Sequence, residues 1–69
     1  MNVKDIQPGF VFQMNHELGG QNDLYLILDS RLMDTHMEVR WLYISGRDAG
    51  MTFRTLLRPD GDWGDWRIM

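Results

Sequence analysis

The sequence predicts an all-β domain of five short strands, and three observations carry that expectation. Strong helix formers are scarce, with Ala and Lys present once each (Ala49, Lys4) and Glu twice (Glu17, Glu38) in 69 residues. Seven glycines and two prolines cut the chain into short segments. Between those breaks the apolar residues alternate with period two, as half-buried strands require.

Pro8-Gly9 suits the two central positions of a turn, Pro by its fixed φ and Gly by its tolerance of positive φ, and it opens the first strand. Over Gly9 to Met14, the side chains of Phe10, Phe12 and Met14 share one face, with Val11 and Gln13 on the other. The polar, glycine-rich stretch 15–23 is too long for a plain hairpin and reads as the longest exposed loop. In the second strand, Leu24 to Asp29, the expected arrangement turns Leu24, Leu26 and Leu28 inward and Tyr25, Ile27 and Asp29 outward. Asp34-Thr35-His36 makes the next turn.

Met37 to Ser45 is the clearest strand, with Met37, Val39, Trp41 and Tyr43 inward and Glu38, Arg40, Leu42 and Ile44 outward. After a loop at 45–50, Met51 to Leu57 fits a strand in which Met51, Phe53 and Leu57 share parity. Ala49, Phe53, Leu56 and Leu57 also fit helical spacing, with Asp48 as cap and Pro59 as stop. Gly50, Thr52, Thr55 and the shortness of the segment favour the strand. Pro59-Asp60-Gly61-Asp62 is a turn, a single 3₁₀ turn is expected at Trp63-Gly64-Asp65, and Trp66 to Ile68 forms the last strand.

With no repeat and no linker-like stretch, residues 1–69 read as one domain. Five short strands, a long loop after the first and a tight turn before a short last strand resemble the small SH3-like barrels, with Pro8-Gly9 and Trp63-Gly64-Asp65-Trp66 as the most suggestive points. The resemblance implies a five-stranded SH3-like barrel. The acidic-aromatic motif of peptide-binding SH3 domains and the KOW signature are missing, so it implies no particular activity.

Composition narrows the function classes. The absence of cysteine fits a reducing cytoplasm, and no segment has the length or apolarity of a signal peptide or membrane span. Ser30 and Ser45 are the only serines, and neither sits in a glycine elbow or has a sequence relation to His16 or His36. Gly19-Gly20 does not precede a helix, so no phosphate-cradling loop is expected. Asp34, His36, Glu38 and Arg40 share a strand face at spacing two but lack the further ligand that zinc requires. The Asp60 to Asp65 turn is similar to a calcium loop but is too short and has no closing glutamate. No enzymatic activity, metal or other cofactor is expected.

The outward positions are more informative. Tyr25, Ile27, Leu42, Ile44 and Leu56 together form an apolar set that either folds into the far wall of the core or marks a partner surface. Trp63, in a polar turn, either plugs the open end of the domain or contributes to that surface, while Trp41 and Trp66 read as core. Six of the seven basic residues are Arg, the cation suited to bidentate contacts. The expected contact surface is therefore Tyr25, Ile27, Leu42, Ile44, Leu56 and Trp63 with Arg54 and Arg58 beside them. Taken as a whole chain, such a domain reads as a non-catalytic protein-binding module, a small accessory or regulatory factor of the phage-modulator kind that docks on a larger protein or on itself. Nucleic-acid binding through Arg40, Arg54, Arg58 and Arg67 is the competing reading, and a net charge of −3 weighs against it. A self-assembling structural part is the third. A domain this small, without a disulfide, has a thin stability margin, so tight packing or a partner must supply the rest.

Overall fold

The computed structural model describes residues 1–14, 23–64 and 66–68. They form β1 (Val11–Met14), β2 (Asp23–Met33), β3 (His36–Tyr43), β4 (Thr52–Leu57) and β5 (Trp66–Arg67), preceded by one 3₁₀ turn at Val3–Asp5. All five strands join a single antiparallel sheet in the order β4-β3-β2-β1-β5. The all-β expectation holds, and residues 52–57 are a strand rather than a helix. The sheet stays open, with β4 and β5 as its two edges, so the expected closed barrel is not formed.

The turns follow the local chemistry. Gly9 has φ +92°, and the Phe10 amide donates to the Gln7 carbonyl at 3.2 Å across Pro8-Gly9. Asp34-Thr35 closes the β2–β3 hairpin between the paired Met33 and His36. The Gly61 amide donates to the Arg58 carbonyl at 3.0 Å to close the turn that ends β4. Trp63 and Gly64 carry no helical turn, so the 3₁₀ turn expected there is absent at those positions. Asp65, the side chain of Trp66 and residues 15–22 of the loop expected at 15–23 lie outside the described residues, while Asp23 belongs to β2, opposite Met14.

Register decides which face of each strand is buried. Directly opposed residues in antiparallel strands share a face, and Tyr25 stands opposite both Phe12 of β1 and Tyr43 of β3. Ile27 stands opposite Trp41. Since β3 turns Met37, Val39 and Tyr43 inward, Tyr25 and Ile27 are inward too, each only 1% exposed. This corrects the outward placement expected for both: Leu24 and Leu26 occupy the outer face instead. Between Ile27 and Asp29 the register slips by one residue, a bulge that adds Leu28 and resets parity. Ser30 thus pairs with inward Val39, and Leu32 with Met37. The bulge also lets β2 run on to Met33, well past the expected end at Asp29.

The core consists of Val3, Ile6, Phe12, Tyr25, Ile27, Met37, Val39 and Tyr43, with Phe10, Met14, Trp41, Leu57 and Trp63 packed around it. Val3 and Ile6 come from the N-terminal segment, which lies against the turn after β4: the Val3 amide donates to the Gly61 carbonyl at 2.9 Å, and the Trp63 amide to the Met1 carbonyl at 2.9 Å. The Ser30 hydroxyl donates to the Ile6 carbonyl at 2.6 Å, fixing the same segment to β2. One face of the sheet is therefore covered by the N-terminus and the 58–63 turn.

Candidate functional site

The opposite face of the sheet has a composition that solubility alone does not explain. By register and alternation it presents Val11 and Gln13 from β1, Leu24 and Leu26 from β2, and Leu42 from β3. Ile44 follows β3 on the same side, its amide donating to the Leu24 carbonyl at 2.9 Å. Val11, Leu24, Leu26 and Leu42 are half-buried, while Ile44 is 46% exposed. Leu28, placed by the bulge, is exposed as well. These residues make a contiguous aliphatic strip across β1, β2 and β3.

Beyond the strip the same face becomes cationic. Arg31 stands opposite Glu38, and Asp29, Arg40 and Arg54 form a row across β2, β3 and β4. The Glu38 side chain is 7% exposed and meets Arg31 Nη2 at 3.2 Å through one carboxylate oxygen and Arg54 Nη1 at 3.6 Å through the other. Leu56 lies opposite Glu38. The acidic group is thus covered and the two guanidiniums, 63% and 67% exposed, form the surface above it. Arg40 is exposed and has no ion-pair partner among the described residues.

Of the side chains singled out in the sequence, the structure brings Leu42, Ile44, Leu56 and Arg54 together on this face. Tyr25 and Ile27 belong to the core. Arg58 lies in the turn beyond β4 and pairs with Asp60 at 3.5 Å. Trp63 is half-buried on the core side, with its ring 6.0 Å from Phe12, 6.3 Å from Tyr25 and 5.9 Å from Trp41. Its indole Nε1 donates to the Tyr25 hydroxyl at 2.8 Å. Trp63 therefore plugs the open side of the domain. Leu24, Leu26, Val11, Arg31 and Arg40 complete the outer face. Pairing β2 in register with β3 would have found the two leucines, since Leu42 and Ile44 were already placed outward.

On the core side, a shallow cavity of about 300 Å³ opens between Met14, Trp41, Leu57 and Trp63. Trp41 Nε1 is buried without a hydrogen-bond partner among the described residues. No group of three or more His, Cys, Asp or Glu side chains gathers among the described residues, and no helix among them is long and apolar enough to cross a membrane. The class defined by fold and face is a small open-sheet β domain with one covered face and one amphipathic, arginine-bearing face. Comparison with protein-family models, with curated proteins and with solved structures finds no match for the chain.

Proposed function

We propose that this chain is a non-catalytic protein-binding module, a small accessory or regulatory factor that docks on a larger protein through the outer face of its sheet. The observation that carries the reading is the aliphatic strip Val11, Leu24, Leu26, Leu42 and Ile44 lying next to Arg40 and Arg54 on a face that no other part of the described chain covers. Sheets bury an apolar face against a helix or a second sheet, and here the described residues supply a covering layer on one side only. Interfaces combine such an apolar centre with arginine at the margin.

We further read the architecture as an opened SH3-like barrel. The meander β2-β3-β4, with β1 beside β2 and the last strand returned to β1, supports that assignment.

Affinity capture on immobilised full-length chain, run in parallel with Ile44→Asp, tests the function. A protein retained in stoichiometric amount by the parent and lost with a folded Ile44→Asp variant supports it. Identical capture by both chains overturns it, as does recovery of nuclease-sensitive nucleic acid in place of protein.

A further inference from the structure

We infer that the partner element seated on the outer face is an acidic amphipathic helix, whose apolar stripe covers Leu26, Leu42 and Ile44 and whose carboxylates reach Arg40 and Arg54. The inference rests on the protein-binding reading and adds the chemistry of the partner.

Charge distribution points to that chemistry. The chain is acidic overall, at −3, yet its outer sheet face places three arginines beside the apolar strip. Of the two acidic groups there, Glu38 is buried beneath Arg31 and Arg54 and is already engaged by both. Asp29 neighbours Arg40 by register. The aspartates at Asp5, Asp60 and Asp62 lie with the N-terminal segment and the 58–62 turn, where Asp62 meets the N-terminal ammonium at 3.4 Å and Asp60 meets Arg58. A partner approaching the outer face thus meets aliphatic carbon and three guanidiniums, with the half-buried Asp29 as the one acidic group not covered.

The cross-strand neighbours Arg40 and Arg54 sharpen the point. Like charges directly opposite one another destabilise a sheet, and Arg54 is tethered to Glu38 while Arg40 has no ion pair among the described residues. A carboxylate from outside relieves that repulsion and forms a charge-assisted, fork-shaped contact with guanidinium.

Geometry selects the secondary structure of the occupant. The aliphatic strip lies on the face of central strands β2 and β3, which have no free edge to extend, so strand addition does not cover it. A layer packed across the face does, and of the layers that cover a sheet a helix is the one a single short segment supplies. Two residues along β3 span about 6.8 Å, so Ile44, Leu42 and Arg40 lie in line over about 14 Å. Two to three helical turns, at 5.4 Å each, match that run. Apolar residues at helical spacing over Ile44 and Leu42, followed one turn later by Asp or Glu, place carboxylates above Arg40 and Arg54.

The test is a selection of displayed random peptides, each about 15 residues and so four helical turns long, on the full chain. It is run in parallel on the charge-reversed variant Arg40→Glu/Arg54→Glu, with Arg40→Gln/Arg54→Gln as a second variant if reversal compromises folding. The parent is expected to enrich amphipathic sequences with an acidic flank, which bind about tenfold more weakly to the variants. The reversed variant is expected to enrich basic flanks instead. Apolar peptides that bind this face with no acidic bias, or with the same bias on parent and variants, overturn the inference and leave the protein-binding reading standing. Selected peptides whose amide-shift footprint avoids this face overturn both. Displacement of the peptide by a single-stranded oligonucleotide assigns the arginines to phosphate and also overturns the inference.

Discussion

Replacing Trp63 separates its two possible uses, as core plug and as contact residue. Trp63 packs against Phe12, Tyr25 and Trp41 within 5.9 to 6.3 Å and donates to Tyr25, which is itself 1% exposed. Aromatic to alanine substitutions in a core cost about 3–5 kcal/mol. Trp63 is only half-buried, so Trp63→Ala belongs at the lower end, about 3 kcal/mol. A domain of this size has a total stability of only about 3–10 kcal/mol, so the variant loses a large share of its stability. Trp63→Phe keeps a ring in the cluster and removes the donor to Tyr25, at a cost of about 1 kcal/mol. Urea unfolding followed by far-UV circular dichroism measures both, with the slope showing whether cooperativity survives. If Trp63→Ala unfolds at the parent midpoint, the ring does not close the open side of the sheet and the core described here is wrong at that end.

Other substitutions probe the same architecture. Gly46 and Gly50 have nearly equal φ, +88° and +90°, but an added Cβ meets the Asp23 carboxylate at Gly46 and nothing at Gly50. Gly50→Ala is expected to cost about 1 kcal/mol from backbone strain alone, and Gly46→Ala at least about 2 kcal/mol more; equal urea midpoints would contradict the packing of Asp23 against that turn. Ser30→Ala removes the bond to the Ile6 carbonyl and is expected to cost about 1 kcal/mol while raising hydrogen exchange at residues 3–6, whereas unchanged exchange there would show that Ser30 does not fix the segment. Glu38→Gln leaves Arg31 and Arg54 without their shared carboxylate, so stability is expected to fall by about 1 kcal/mol at low salt and by less at high salt. The same variant is expected to bind acidic peptides more tightly than the parent, and weaker binding would refute the assignment of the outer face.

What could be read from the sequence follows from how sharply each strand separates its faces. In β3 the inward side is aromatic and β-branched while the outward side carries Glu38 and Arg40, so Leu42 and Ile44 were placed correctly by alternation. In β2 both faces are apolar, Leu24, Leu26 and Leu28 against Tyr25 and Ile27, and period two cannot choose between them. Pairing with β1 and β3 makes the choice, and pairing is a tertiary property. The bulge at Leu28 deepens the ambiguity because the inward parity changes within the strand. The turns at Pro8-Gly9, Asp34-Thr35 and Asp60-Gly61 were legible because their geometry depends on the residues in them. The 3₁₀ turn at Val3–Asp5 was missed, although Val3 and Ile6, three residues apart among polar neighbours, carry a weak signal of it.

The thin margin of a domain without disulfides is met on one side by an aromatic cluster around Tyr25, while the other side carries the aliphatic strip that the proposed function assigns to a partner. Methyl cross-saturation from a bound acidic peptide, or from the captured protein, tests that division most directly. Saturation is expected at Val11, Leu24, Leu26, Leu42 and Ile44, with the buried methyls of Val3, Ile27 and Val39 untouched. Saturation concentrated at Met14, Leu57 and the cavity beside Trp63 would place the partner on the opposite face and contradict the account.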